Sequence, residues 1–463
     1  MSSRRCVCGV ACRAGLTVAV LSIAAPASLA IDTGPTGGDQ PFSTRQPTLG
    51  LNYVIHERGS IGEIRLFPYA TPGQWIRASG QLVPIAQFGP LADELGTAFG
   101  GDGMTSVALP DLDDRLPVGV GMGPQLTNRT RGEQFGSESI MLTVDQIPSH
   151  VHGLMGGGMT GMTGGGMGHS TIQPSLGLRF GVTTDSDEFP PNARGALPPG
   201  TPANPYLGQF RLFAGMTLPA DVHEADGENL IISQNTALFS LLGTTFGGNG
   251  QTTFGLPDFR GRTPIGTGQG PGLSDYEHGQ VAGHENITLT EAMMPFHNHT
   301  IPPEVGGGVT DPTGGSQPID NLQPSLAINF IIRLQGTVPT NTGLDAATAY
   351  LGEIAMWGAS FAPQGWAFCQ GQFLPINQNS DLYQLIGTTY GGNGTTTFAL
   401  PDLRGRAPEG ADVGRSMLGE KLGTETVTLT VNNLPSHVHE IPSAPVAGLL
   451  AVTMGIGLAR RRR

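Results

Sequence analysis

One long pattern occurs three times along this chain. GEIRLF (Gly62–Phe67), GTAFGGDG (Gly96–Gly103) and VALPDLDDRLPVG (Val107–Gly119) form the first copy. GQFRLF (Gly208–Phe213), GTTFGGNG (Gly243–Gly250) and FGLPDFRGRTPIG (Phe254–Gly266) form the second. GEIAMW (Gly352–Trp357), GTTYGGNG (Gly387–Gly394) and FALPDLRGRAPEG (Phe398–Gly410) form the third. A repeat this long marks one folding unit used three times, so the chain must bury three similar modules, separately or against each other. Its 463 residues match that count at roughly 150 residues per domain.

The segments inside a copy point to a mainly β fold with short helices. Gly (71) and Pro (37) together punctuate the chain too often for long helices. The GGNG strings read as turns with positive φ, and TTTFALP (Thr395–Pro401) reads as a strand stopped by proline. TALFSLLG (Thr236–Gly243) and NSDLYQLIG (Asn379–Gly387) predict one short helix each, with a polar N-cap and a glycine stop. Later in each copy, ESIMLT (Glu138–Thr143), ENITLT (Glu285–Thr290) and ETVTLT (Glu425–Thr430) look β-like. Asp111, Asp258 and Asp402 follow proline and read as turn residues. Arg115, Arg262 and Arg406 share one position, where pairing with a nearby carboxylate or carbonyl is the expected role. Cys369 stands where the other copies have Ala78 and Ala225, so it reads as a small buried residue.

Each copy ends in a histidine pair: His150-Val-His152, His297-Asn-His299 and His437-Val-His439. The first members are 147 and 140 residues apart. Residues i and i+2 of an extended strand face the same side, so both imidazoles of a pair can aim at one point. Three such strands give six nitrogen donors, enough for a closed octahedral shell around Fe, Zn or Ni. A closed shell has no open position for substrate water, so the metal would be structural. The alternatives are a site formed when three chains associate, and ordinary strand histidines. No Ser-His-Asp order, nucleotide fingerprint or repeated carboxylate pair supports an enzyme.

The ends of the chain carry addresses. Residues 1–30 have a basic start (Arg4, Arg5, Arg13), an apolar run and small residues before Ile31, the pattern of a secretory signal peptide. At the other end, Pro442-Ser443-Ala444-Pro445 precedes the apolar Val446–Ala459 and four arginines. Without both ends the body holds 17 basic and 37 acidic residues, a charge that phosphate backbones would repel. Nucleic acid is therefore not an expected partner. Between the copies, Gly153–Gly168 is a glycine-methionine tract with Met155, Met159, Met162 and Met167, followed by His169. Thioethers suit Cu(I), but an inserted flexible loop is the plainer reading. Residues 183–206 and 301–322 read as further variable loops.

These strings resemble the phage tail collar domain, and in particular the bacterial microcystin-dependent protein group that contains it. The resemblance spans most of residues 46–440 and is sharpest in copies two and three. Copy one departs at Asp113-Asp114, where the others have Arg-Gly, and copy two has Val222 where Trp75 and Trp366 stand. The family implies a non-catalytic structural module that forms trimers; in some tail fibres, His-x-His pairs from three chains hold a metal on the trimer axis. Here one chain carries all three pairs, which implies a single-chain pseudo-trimer, with a homotrimer as the alternative. The expected modules are residues 46–182, 207–332 and 350–440. The strand strings QPTLGLNYVI (Gln46–Ile55), QPSLGLRFGV (Gln173–Val182) and QPSLAINFII (Gln323–Ile332) flank them. In the family this strand ends a module. Here one copy precedes module one and none follows module three, so Leu49–Ile55 is expected either to close a ring with module three or to pack on module one. Residues 442–463 resemble a PEP-CTERM sorting segment, read by sorting machinery and cleaved at the surface, with a plain membrane anchor as the alternative. The function so implied is that of a secreted, surface-associated structural or adhesion protein. Its partner would be a cell-surface or matrix component, a glycan among the candidates. The alternatives are a phage-derived receptor- or glycan-binding protein and an extracellular metal-dependent enzyme.

Overall fold

The computed structural model describes residues 31–55, 61–70, 75–155, 157–185, 206–336, 338, 350–411 and 417–442. The expected leader and most of the C-terminal sorting segment lie outside them.

The fold is mainly β, and its organising elements are the three QP-x-L strands, Thr48–Ile55, Ser175–Thr183 and Ser325–Arg333. Their near-continuous apolar composition suits burial on both faces, and almost every residue in them is buried. Each strand joins two modules. Its first half pairs in parallel with the Leu-Pro-Asp region of one module: Ser175–Leu178 with Leu116–Gly119, and Ser325–Ile328 with Thr263–Gly266. Its second half pairs antiparallel with the next module: Arg179–Val182 with Phe210–Phe213, and Asn329–Ile332 with Ile354–Trp357.

Thr48–Ile55 follows the same rule across the chain's start and finish. Thr48–Leu51 pairs with Ala407–Gly410 of module three, and Asn52–Ile55 with Ile64–Phe67 of module one. Both expectations for this strand hold at once: it packs on its neighbour in sequence and also closes the chain onto module three.

The modules meet again through equivalent elements. The strands Glu63–Phe67, Gln209–Phe213 and Ile354–Trp357 pair with one another, through Leu212 with Ile64, Phe210 with Met356, and Ile354 with Leu66. Parallel bridges join Gly119 to Arg260, Gly266 to Arg404 and Asp113 to Gly410. Between the QP-x-L strands the glutamines form a cycle. The Gln46 N–H donates to Gln173 Oε1 (2.8 Å), that of Gln173 to Gln323 Oε1 (3.1 Å), and that of Gln323 to Gln46 Oε1 (3.1 Å). A large apolar cluster runs through all three modules. A smaller one gathers Phe42 and Ile319 with Ile147, Met294 and Leu434, each of these last three standing three residues before a histidine pair.

Two local expectations need correction. Asn235 and Asn379 stand at the N-caps of helices Thr236–Leu242 and Ser380–Ile386 but make no capping bond. Their side-chain amides donate instead to the carbonyls of Ile231 and Pro375. The β-like runs form only two-residue strands, Ser139–Ile140, Asn286–Ile287 and Thr426–Val427, paired with Phe42–Ser43, His169–Ser170 and Ile319–Asp320.

Candidate metal centre

Each histidine pair lies in an extended segment just after a proline, held by backbone bridges His150–Thr163, His297–Thr313 and Thr36–His437. The intervening Val151, Asn298 and Val438 turn toward solvent to varying degrees, while all six imidazoles are at most 4% exposed. The extended geometry therefore puts both rings of a pair on one side, as the spacing predicts.

The rings of the three pairs come together. Centroid separations between pairs include 5.1 Å for His150–His297, 4.8 Å for His152–His299 and 4.7 Å for His152–His439. Two overlapping sets, His150/His297/His299/His437 and His150/His152/His299/His439, keep all their ligand atoms within 4.8 Å of one another. Together they include all six histidines.

The tautomer follows from the partners. The Nδ1 of His150, His297 and His437 lies 3.0, 3.0 and 2.8 Å from the carbonyls of Pro148, Pro295 and Pro435. The Nδ1 of His152, His299 and His439 lies 2.8, 2.9 and 2.9 Å from the carbonyls of Asp311, Gly34 and Gly161. A carbonyl can only accept, so every Nδ1 carries the proton and, in a neutral ring, every Nε2 presents a lone pair. Among the described residues, the Nε2 atoms of His152, His299, His437 and His439 are buried without a hydrogen-bond partner. His150 and His297 face each other Nε2 to Nε2 at 3.2 Å, with no proton on either atom to bridge them.

Protonation is a poor remedy. Burial, reinforced by neighbouring imidazoles and only partly offset by the carbonyl bonds, holds His150 and His299 down to about 3 and His297 to about 4. His439 is held at about 4 for the same reasons, and burial lowers His152 and His437 as well. Six neutral acceptors thus converge with no donor among the described residues. Around an octahedral ion with bonds of about 2.1 Å, neighbouring nitrogens stand about 3.0 Å apart and opposite ones about 4.2 Å. The observed 3.2 Å contact and 4.8 Å span fit that shell with small adjustments. The donor set would hold a divalent transition metal.

A second layer of the centre escapes a reading of the obvious motifs. Thr33, Thr160 and Thr310 are buried, and their hydroxyls accept the backbone N–H of His439, His152 and His299 at 2.9, 2.9 and 3.0 Å. Three residues later, Thr36, Thr163 and Thr313 donate to the carbonyls of Asn298, Val438 and Val151, each between the histidines of a different pair. The signal is present as TGPTGG (Thr33–Gly38), TGMTGG (Thr160–Gly165) and TDPTGG (Thr310–Gly315). Two copies lie in segments expected to be variable loops, and the third precedes the first module.

The other candidates take structural places. The methionine tract contributes Thr160, Gly161 and Thr163 to the centre. Met155, Met159, Met162 and Met167 are more than half exposed, and His169 turns inward against Phe42. Arg115, Arg262 and Arg406 lie 2.6, 3.1 and 3.8 Å from Asp111, Asp258 and Asp402. Cys369 is buried, and burial pushes its thiol well above the ordinary range.

Fold and site together define a mainly β protein of three repeated modules built around a buried histidine cluster. Residues 62–117, 208–264 and 352–408 each match the phage tail collar domain, so the chain carries three collar domains in tandem. The collar domain is a structural module of phage tail fibres. Comparison with curated proteins and with solved structures gives no match. All six histidines lie outside the three matched segments.

Proposed function

We propose that the protein is a non-catalytic, surface-associated structural or adhesion protein: a single-chain pseudo-trimer of the tail-fibre collar type, pinned by one metal ion. His150, His152, His297, His299, His437 and His439 are the ligands, and iron, zinc or nickel is the ion. The observation that carries this reading is the convergence of six Nε2 lone pairs, four of them buried without a partner. An ion there would join all three modules at one point, and a six-nitrogen shell would leave no position for substrate, which weighs against an extracellular metal-dependent enzyme. The leader-like residues 1–30 and the tail 442–463 support secretion, with the tail as sorting signal or anchor. A cell-surface or matrix component, a glycan included, is the proposed partner.

Metal analysis of protein purified without chelators tests the site, with His299→Ala as the comparison. The wild-type chain should retain close to one equivalent through gel filtration and melt at lower temperature after chelation, while His299→Ala should retain little. Wild-type protein that holds no ion, with a melting temperature indifferent to chelator, would remove the proposal.

A further inference from the structure

The three Thr-x-x-Thr-Gly-Gly strands make equivalent bonds but are tethered differently. In modules one and two the strand returns from its own histidine pair through a short connection, His152 to Thr160 and His299 to Thr310. In module three nothing connects them locally: Thr33 and His439 lie 406 positions apart. We infer that module three, flanked by module two, forms an acceptor site for an extended Thr-x-x-Thr-Gly-Gly strand, and that the chain's own residues Thr33–Gly38 fill it as an exchangeable latch.

The site is built from backbone. Thr33 N–H donates to His439 O (2.8 Å) and Gly34 N–H to Thr300 O (2.8 Å). Thr36 and His437 exchange N–H and C=O at 3.0 Å each way. Gly38 and Asp39 donate to Leu434 O, and Gln40 donates to Asn432 O at 2.7 Å. This is strand addition, in which the ladder supplies affinity and the groove sets specificity. The groove requires glycine at one place above all. Gly37 has φ +123°, and a side chain there would run into the carbonyl of Pro435, the group that holds His437 Nδ1. Gly164 and Gly314 repeat that geometry against Pro148 and Pro295.

Tethering makes the latch the weakest of the three. A short hairpin connection keeps a released strand beside its site, whereas Thr33–Gly38 has no such hairpin and is tied back to the fold through the segment leading to Thr48. Opening it would remove Gly34 O from His299 Nδ1 and Thr33 Oγ1 from the His439 N–H. Resting on the metal reading, the latch is then also the route by which the ion enters and leaves.

The test uses the full chain in chelator and a fluorescent peptide of residues 31–44. Gly37→Val should leave the site open, and that variant should bind one peptide at least about tenfold more tightly than the wild-type chain, whose tethered latch competes. The same peptide carrying Gly37→Val should bind neither chain. A folded Gly37→Val chain that takes no peptide would overturn the inference. Hydrogen exchange on the wild-type chain gives a reading that no variant can spoil. The Thr36 and His437 amides should exchange at least about tenfold faster than those of Thr163, His150, Thr313 and His297. Equal protection at all three places would also overturn it. Both readouts are made without metal, so a chain that captures peptide but never binds an ion keeps the acceptor site and loses only the metal reading.

Discussion

The carbonyls that orient the histidines come from two sources, and the difference ties the modules together. The first member of each pair uses the proline two residues before it, a local bond that the Pro-x-His string already implies. The second member uses Asp311, Gly34 or Gly161, from elsewhere in the chain. Glycine is as decisive where modules touch. Side chains at Gly119, Gly266 and Gly410 would run into the carbonyls of Phe259, Leu403 and Leu112. Gly266→Ala should therefore destabilise the protein by about 3 kcal/mol, the upper end for overpacking, measured by denaturant unfolding. An unchanged midpoint would mean the bridge between modules two and three is looser than described. The sequence made the histidines legible because pairs recur at one place in a long repeat. The threonines were hidden because their string is short and its first copy stands ahead of every other motif. The glycines were visible as repeats, but their reason is contact with another module, which no local pattern reveals.

Among the elements, the three paired strands Glu63–Phe67, Gln209–Phe213 and Ile354–Trp357 carry, with Glu353 beside the last, a buried charge network. Glu63 lies 3.0 Å from Arg211 and 3.3 Å from Arg65, and Arg65 reaches Glu353 at 3.4 Å. Burial alone would raise Glu63; Arg211 and Arg65 outweigh it and bring the carboxyl down to about 2, whereas burial leaves Glu353 raised. Glu63→Gln should cost about 3 kcal/mol near neutral pH, the low end for breaking a buried pair, because Arg65 keeps Glu353 and Arg211 keeps Asp221. The folded value lies below the unfolded one of about 4.3, so Glu63 contributes fully above that pH and loses its contribution as pH falls toward 2. Wild type and variant should accordingly begin to converge in urea midpoint below about pH 5 and meet near pH 2, while a gap that stays constant would assign the loss to packing. Strand and helix identity here was legible from apolar runs, glycine stops and prolines. Cap chemistry was not, since Asn235 and Asn379 had the right residue type, but their amides donate backward to Ile231 and Pro375 and their side-chain oxygens make no capping bond. Cross-module pairing was equally hidden, because it depends on how the copies assemble.

For the molecule as a whole, the repeat and the QP-x-L strand displaced to its start foreshadow closure. Thr48–Ile55 and the latch both carry the beginning of the chain onto module three, so ring and centre are completed by the same stretch. This arrangement gives the proposed ion one job, holding three collar modules at a point where apolar packing ends and six lone pairs begin. A homotrimer built from separate chains would show the same local chemistry with different stoichiometry. Native mass spectrometry of the intact chain, purified without chelator, separates the two most directly. One transition-metal ion should be bound to a single chain, and His299→Ala should lose it. An ion found only in a three-chain species, or a single chain that carries none, would contradict it.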